Sequence, residues 1–365
     1  MNYANLRKYL HALGWPLTAA AASLLLSACD STIYDDEGDC SVTYQLSFRY
    51  DRNLKWADAF ANEVASVHLY AFTPEGTLVR EYNLPAAPIV AAGNTLTLDL
   101  PTGDYRLVAW CGIDAADTDV RSFAVPELTV GSSTPDDLSC RLNRTPSADY
   151  GAVCSDRLNF LFHGAKDVHL PDLPDGGVHR DTISLTKDTN HIRIILQQLS
   201  GEGIDVRDFG FRIEDANGLM AYDNTLLPDE QITYLPWDTA TGQAGLGKDD
   251  LGQEADGTRA VIYVDGAIAD LTVGRMMADR AHDMMLTITN RSNGETVARV
   301  PVIDYALLSK EYYEMAYRHA MSDQEFLDRE DEYVLTFFLD EDRRWISSSI
   351  LIHSWRIVLQ DVDLH

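Results

Sequence analysis

The sequence predicts an all-β protein built from two β-sandwich domains. The first observation is alternation: from Val42 to Tyr50, apolar and aromatic residues fill every second position, as in a strand with one buried face. The second is the placement of turns, because Pro- and Gly-containing turns at 74–76 and 101–103 separate short apolar segments. The third is repetition, since the same pattern restarts near residue 191. Regularly spaced short strands of this kind are typical of sandwiches.

The first half of the chain carries five predicted strands and one long connection. Residues 126–179 contain several Pro and Gly residues, and we expect a loop-rich stretch there. The predicted strands are Val42–Tyr50, Val67–Phe72, Leu96–Leu100, Tyr105–Trp110 and Thr182–Leu185.

The second half repeats the strand pattern. Asp215–Gly218 has the composition of a tight hairpin turn, and 292–294 a similar one. The restart places a domain boundary near Asp188, with an N-terminal sandwich over 41–188 and a C-terminal sandwich over 189–365. The predicted strands are His191–Leu199, Phe209–Glu214, Ala260–Val264, Met284–Thr289, Glu295–Val300, Tyr333–Leu339, Ser348–Ile352 and Trp355–Leu359.

One accessory helix is predicted in the second domain, over Tyr305–His319. Asp304 is a suitable N-cap, and Glu314–Arg318 forms an i,i+4 pair. The residues predicted to share one face are Leu308, Tyr312, Met315 and His319. We expect this face to pack over one end of the sandwich, with partner binding as the alternative.

The N-terminus predicts a lipoprotein signal peptide over residues 1–28. Arg7 and Lys8 precede an apolar stretch that is short for a membrane span and that meets Asp30 directly after Cys29. Residues Leu26, Ser27 and Ala28 before that cysteine resemble a lipobox, where the cysteine is acylated and becomes the new N-terminus. The alternative is an ordinary secretory signal. Residues 29–40 would then form a lipidated acidic tether, and two or more acyl chains on Cys29 would hold the protein on a membrane.

The chain is strongly acidic, with 29 Lys and Arg residues against 57 Asp and Glu residues and a net charge of -28. Such a surface repels phosphate, which argues against nucleic acid and against an electrostatic grip on anionic lipid. Attachment to a membrane would therefore depend on the acyl chains.

Four cysteines follow Cys29, namely Cys40, Cys111, Cys140 and Cys154. An even number in an oxidising compartment makes them candidates for disulfides, and four cysteines allow three pairings. Their spacing contains no C-x-x-C, so a zinc site is not expected.

The search for catalytic motifs identifies no convincing reaction centre. H-E-x-x-H, G-x-S-x-G and G-x-G-x-x-G are all missing from the sequence. Residues 242–248 have the spacing of a phosphate loop, but Asp249 occupies the position of the magnesium-binding hydroxyl, so an ordinary Gly-rich loop is the better interpretation. Loop carboxylates at Asp249, Asp250 and Glu254 are conceivable calcium ligands without EF-hand spacing. Tryptophans that are candidates for stacking on sugars are Trp56, Trp110, Trp237, Trp345 and Trp355.

Several segments in a fixed order resemble the fimbrillin-A-associated anchor family, the minor subunits at the base of Bacteroides-type (type V) fimbriae. The resemblance starts with the lipobox and the acidic tether ending in Cys40, and spans nearly the whole chain. Its further segments are Phe48–Asp51, Ala57–Phe60, Val67–Phe72, Leu100–Tyr105, Val108–Trp110, Phe162–Gly164, Leu185–Asn190 and Ser354–Arg356.

This resemblance implies two transthyretin-like β-sandwich domains, an outer-membrane lipid anchor on Cys29, and a protein that attaches a fimbrial shaft at the cell surface and limits its length. It implies no catalytic residue, no metal and no cofactor beyond the covalent lipid. The expected partner is the shaft subunit, a fimbrillin, bound through a groove or an edge strand. A surface glycan-binding or adhesin lipoprotein is the alternative, and an enzyme comes third.

Overall fold

The computed structural model describes residues 42–114, 121–198, 203–246, 262–280, 283–352 and 355–360. The described residues within 44–171 and 179–360 belong to one compact unit. A second unit contains residues 42–43 and 172–178 among those described. Within it, the Gly176 amide donates to the Leu173 carbonyl at 2.8 Å and closes a turn.

Strands dominate the described part of the chain, so the predicted all-β sandwich class is confirmed. Those before residue 188 are β1 (Val42–Arg49), β2 (Ser66–Phe72), β3 (Leu78–Pro85), β4 (Thr95–Leu98), β5 (Gly103–Cys111), β6 (Phe123–Ala124), β7 (Ser139–Leu142), β8 (Thr145–Ser147), β9 (Gly151–Cys154), β10 (Phe162–Leu170), β11 (Gly177–Ser184) and β12 (Thr186–Lys187). Those after it are β13 (Asn190–Gln198), β14 (Phe209–Asp215), β15 (Leu219–Ala221), β16 (Ile232–Tyr234), β17 (Asp238–Leu246), β18 (Ile262–Val273), β19 (Met285–Asn290), β20 (Thr296–Pro301), β21 (Glu332–Leu339), β22 (Trp345–Ile352) and β23 (Trp355–Gln360).

Helices are short and peripheral to the sheets. The α-helices are α1 (Phe60–Glu63), α2 (Ala86–Ala91), α3 (Val302–Leu307), α4 (Lys310–Tyr317) and α5 (Asp323–Arg329). Single 3-10 turns lie at Pro135–Asp137, Val206–Asp208 and Ala278–Arg280. The second half therefore carries three α-helices among the described residues, where the sequence predicted one.

The described strands form five sheets. Two come from the first half alone, with orders β11-β1-β4 and β12-β10-β5-β2-β3. A six-stranded sheet from the second half has the order β17-β18-β13-β21-β22-β23. Another six-stranded sheet, β20-β19-β14-β16-β9-β8, and the small sheet β15-β7-β6 combine strands from both halves.

The predicted boundary near Asp188 does not separate these sheets. Strand β9 runs parallel to β16, with Ala152 opposite Ile232, and β7 pairs with β15. One continuous apolar core likewise contains Trp110 from β5 and Phe337 from β21. Residues 139–154 thus contribute to sheets of the second half, and the division into two domains at residue 188 stays a prediction.

The expected loop-rich stretch over 126–179 is wrong in its central part. It contains β7 to β10, and the nine-residue β10 lies between β5 and β12. The sequence of β10 does not predict a strand because polar residues interrupt its apolar alternation. His163 is buried, and it bonds the Tyr222 carbonyl at 2.8 Å.

The predicted hairpin at Asp215–Gly218 is also wrong, because β14 pairs with β16 and β19 while β15 pairs with β7. Asn217 is fully buried, and its Oδ1 accepts a 2.6 Å hydrogen bond from the Tyr234 hydroxyl. A Cβ on Gly218 would lie 2.3 Å from Cδ1 of Ile232. The Asn-Gly pair is therefore a packing element and not an exposed turn.

The predicted helix over Tyr305–His319 is interrupted between α3 and α4. The Ser309 hydroxyl donates to the Ala306 carbonyl three residues back, which closes the first helix, and Arg318 ends the second with a left-handed φ of 53°.

Asp304 lies inside α3 and Pro301 is its N-cap. Glu314 pairs with Lys310 at 3.7 Å instead of the predicted Arg318. The interruption changes the helix phase, so Tyr305 and Tyr313 are buried. The four residues predicted to pack are exposed, namely Leu308, Tyr312, Met315 and His319.

Candidate functional site

Strand β1, the first strand of the described chain, is paired on both sides. It lies between β4 and β11, and Tyr44 stands opposite Leu98 across the β1/β4 pair. Leu46 and Phe48 are fully buried, and the Phe48 ring stacks on Phe60 with centroids 5.7 Å apart. Lending this strand to a partner would expose its whole apolar face and break two backbone ladders, so β1 is poorly suited to exchange.

Strand β23 is an edge strand, and it was correctly predicted as a strand. It is antiparallel to β22, from Ser347 opposite Gln360 to Ile352 opposite Trp355. No second strand pairs with it among the described residues. One edge of β23 is therefore left without a partner among the described strands, and an unpaired strand edge is a template for a further strand. This edge is the candidate interface, and we call it the β23 edge.

A cleft of about 730 Å³ lies beside the segment that follows β1. Its floor includes Lys187, whose side chain is 5% exposed and which pairs with Glu63 at 3.0 Å and also with Asp331. The Phe160 ring covers this ammonium group at 3.6 Å. The two carboxylates and the ring thus compensate the charge of the buried Lys187 at the floor of the cleft.

Two acidic groups close to this cleft are unusually buried. Burial raises the pKa of Asp188 to about 7, against the opposing effect of Arg275, whose Nη1 lies 3.8 Å from Oδ1 of Asp188. Burial also raises the pKa of Glu330 to about 8, although its Oε1 accepts backbone hydrogen bonds from Asp331 and Glu332. These carboxyls make the region pH-sensitive, and no catalytic partner arrangement accompanies them among the described residues.

Trp56 is exposed at 45% but is not a free stacking surface. The Arg329 guanidinium lies 3.9 Å from its ring centroid, and the His319 ring meets it edge-on at 4.7 Å. Its indole nitrogen donates to the Tyr313 hydroxyl at 3.0 Å.

The other candidate tryptophans lie in different environments. Trp110 is fully buried in the core, and Trp345 packs against the core. Trp355 belongs to β23, and Trp237 is half-buried. Of the residues named from sequence for sugar stacking, Trp237 therefore has the most suitable position.

Three of the candidate disulfide cysteines are free thiols in the structure. Cys111, Cys140 and Cys154 are all buried and unbridged, and Cys40 lies outside the described residues. Burial raises the pKa of the Cys154 thiol to about 11 and that of the Cys111 thiol further. The structure thus joins none of these three cysteines to another, and it gives each the surroundings of an unreactive core residue.

The lipobox residues Leu26, Ser27 and Ala28, the lipidation candidate Cys29 and the tether 29–40 lie outside the described residues, as do Asp249, Asp250 and Glu254. Residues 242–246, expected in a Gly-rich loop, belong to β17 instead. No cluster of three metal-ligating side chains occurs in the part of the chain that the structure describes. None of the helices found there is long and apolar enough to cross a bilayer.

Solved structures of similar fold come from Bacteroides and Porphyromonas. A candidate adhesin from Bacteroides thetaiotaomicron is 30% identical, with a TM-score of 0.72 over 89% of this chain and 100% of that one. A second protein of that species, described as a candidate polysaccharide-binding protein, is 28% identical, with a TM-score of 0.68 over 88% of this chain and 99% of that one. The fimbrial anchor protein Mfa2 of Porphyromonas gingivalis shares the fold at 16% identity, with a TM-score of 0.59 over 87% and 99% of the two chains.

The β-sandwich fold and its similarity to these structures indicate a fimbrial-associated or adhesin-like protein. The family model for fimbrillin-A associated anchor proteins Mfa1 and Mfa2 matches residues 36–361, and the chain belongs to this family. In sequence it is 21% identical to the minor fimbrium anchoring subunit Mfa2 of Porphyromonas gingivalis over 290 residues, which cover 79% of this chain and 78% of that one. The resemblance found in the sequence is thereby confirmed.

Proposed function

We propose that this chain is a non-enzymatic lipoprotein that anchors a fimbrial shaft to the outer membrane and limits the length of that shaft. The observation that carries the proposal is the family match over residues 36–361. Acyl chains on Cys29 would supply the membrane attachment, since two or more chains hold a protein firmly without a spanning helix. The mature protein would face the outside of the cell.

We assign shaft binding to the β23 edge. Strand addition gains affinity from a row of backbone hydrogen bonds and specificity from alternate side chains. Strand β1 is already paired on both sides, whereas β23 has a partner on one side only among the described strands. An added fimbrillin strand would extend the six-stranded sheet without any rearrangement of its core.

A deletion strain tests the anchoring role. Cells without this protein should shed fimbriae that are still polymerised, and the released fimbriae should be longer than those of the parent strain. Fimbriae that stay attached to the deletion strain would show that another protein anchors them.

Two neighbouring proline substitutions test the edge itself. Successive residues of an edge strand direct their N–H groups alternately toward the partner strand and away from it. Of Ile357→Pro and Val358→Pro, one therefore removes a bond to β22 and the other removes a donor on the free side. The variant that unfolds closer to the wild-type temperature should capture less fimbrillin in pull-downs. Wild-type capture by that variant would exclude the β23 edge and leave the anchoring role intact.

A further inference from the structure

Large apolar side chains are exposed together around helix α4. They make up half of the ten large apolar side chains that are exposed in the described part of the chain. We call them the α4 face, and they are Trp56, Leu308, Tyr312, Met315 and Tyr317. Met315 is the most exposed of all ten, at 69%. A grouping of exposed apolar side chains of this kind marks an interaction site.

Ring contacts join the parts of the α4 face and fix the helix on the protein. The indole nitrogen of Trp56 donates to the Tyr313 hydroxyl at 3.0 Å, and the Tyr313 ring stacks on Tyr317 with centroids 4.4 Å apart. Tyr312 and Met315 are three residues apart on α4, so their side chains lie on the same side of the helix. Since Tyr313 is buried, α4 is attached by one side and presents an apolar side to the outside.

The acidic groups of α4 and α5 are mostly neutralised within the protein. The charges left without an ion pair among the described residues are those of Glu311 and of Arg318, the C-cap of α4, and they have opposite signs. The negative charge of the whole chain is therefore not concentrated at the α4 face. The paired acidic groups are Glu314 and Asp323 with Lys310, Glu325 with Arg329, and Asp328 with Arg275.

The α4 face is small for a stable interface between two proteins. Helix α4 has eight residues and is therefore about 12 Å long. Stable protein–protein interfaces bury about 1,200–2,000 Å² in total. A surface helix, by contrast, binds a bilayer through one apolar face, and Trp and Tyr rings favour the boundary between headgroups and acyl chains. The size and the aromatic composition of the face thus suit a bilayer.

The proposed lipid anchor brings this face within reach of a bilayer. Fourteen residues lie between Cys29 and Tyr44, the first residue of the large compact unit. An extended chain of that length spans about 46 Å, whereas β1 covers only about 20 Å from Tyr44 to its end. The Ala59 amide donates to the Tyr50 carbonyl at 3.0 Å, so the loop that carries Trp56 returns to this end of β1. The tether is therefore long enough for the acyl chains to insert beside the face.

From the exposed apolar side chains, their aromatic composition, the balanced local charge and the length of the tether, we propose that the α4 face lies on the bilayer in which Cys29 is anchored. The inference rests on the lipid anchoring proposed above. Trp56, Tyr312 and Tyr317 would lie at the level of the headgroups. Met315 would reach the acyl chains. Because a short linker gives an effective concentration of about millimolar, a weak contact suffices to orient the protein on the membrane.

Quenching by brominated lipids tests the proposal. The lipidated full chain with Cys40→Ser and Met315→Cys carries a fluorescent maleimide, which the three buried cysteines should not take up. It is incorporated into palmitoyl-oleoyl-phosphatidylcholine vesicles with and without brominated acyl chains. The apolar face of an interfacial helix lies about 5–10 Å into the headgroup boundary, so bromine should quench this label at least about twice as strongly as a label at Val130→Cys. Val130 is the matched control because it is 56% exposed and lies outside the α4 face.

Tyr312→Glu, added to the chain labelled at Met315→Cys, should lower the quenching to that of the Val130 label, because a carboxylate is costly in the acyl region. Flotation with the vesicles should not change, since the acyl chains on Cys29 maintain it. Thermal unfolding checks that the fold is retained. Equal quenching of the two labels, or quenching that Tyr312→Glu does not alter, would overturn the proposal.

Two other results would also overturn it, for different reasons. A dimer that Tyr312→Glu dissociates, in a chain whose Met315 label is not quenched, would assign the α4 face to a second copy. A lipidated chain that does not float with vesicles would contradict lipid anchoring itself, and this inference with it. Flotation without selective quenching of the Met315 label would contradict the α4 face alone and leave the anchoring proposal intact.

Discussion

Replacing Glu330 by Gln should stabilise the protein at neutral and alkaline pH. Glu330 is 1% exposed, and burial raises the pKa of its carboxyl from 4.5 to about 8. A carboxyl whose pKa is raised on folding favours the folded state most below the unfolded pKa, and this stability is lost as the pH rises through the folded pKa. The Glu330 contribution is therefore fully present below pH 4.5 and disappears by about pH 8.

The size of the effect follows from the pKa difference. Each pKa unit corresponds to about 1.4 kcal/mol, so a rise from 4.5 to about 8 corresponds to at most about 5 kcal/mol. The amide oxygen of Gln can still accept the Asp331 and Glu332 amides, which bond Oε1 at 3.1 Å and 2.8 Å. The substitution thus removes the charge and keeps those hydrogen bonds.

Urea unfolding between pH 4 and pH 9 measures this effect. The free energy of unfolding of Glu330→Gln should equal that of the wild type near pH 4.5 or lie slightly below it, and should exceed it increasingly toward pH 8. Glu127→Gln is the control, because Glu127 is an exposed carboxylate that is not among the groups that shift the pKa of Glu330, and its curve should follow the wild type. Parallel curves for Glu330→Gln and the wild type across this range would refute the assignment of a buried, charge-sensitive carboxyl.

Three further outcomes are expected. Cys29→Ala should release the mature protein from the membrane fraction, and membrane retention of a cleaved, unlipidated protein would contradict lipid anchoring. In a Cys40→Ser variant the thiols of Cys111, Cys140 and Cys154 should react with Ellman's reagent only after unfolding, because all three are buried. Fewer than three reactive thiols in denaturant would instead reveal a disulfide. Gly112→Ala should prevent folding, because its Cβ would lie 1.9 Å from the Phe160 carbonyl oxygen. Gly131→Ala is the control: Gly131 has a φ of 88° and no atom within 4 Å of the added Cβ, so its free energy of unfolding, measured by thermal unfolding, should fall by only about 1–2 kcal/mol.

Local patterns predicted the strands whose two faces differ in polarity. Along β1 the buried Leu46 and Phe48 alternate with half-buried Gln45 and Ser47, so period two is visible in the sequence. Strand β10 has neighbours on both sides and contains the buried His163, whose pKa burial lowers to about 4. From sequence alone, a polar residue that is hydrogen-bonded inside the core cannot be distinguished from a polar residue in a loop.

Pairing between distant segments could not be predicted in the same way. The Asn-Gly pair at 217–218 has turn composition, yet its position is determined by Tyr234 and Ile232, which belong to another strand. The same limit applies to the candidate sites. The pattern of β23 predicts a strand, but only the strand order shows that it lies at an edge. Trp237 was visible as a candidate for sugar stacking, while its convergence with Phe160 and Asn190 depends on tertiary structure.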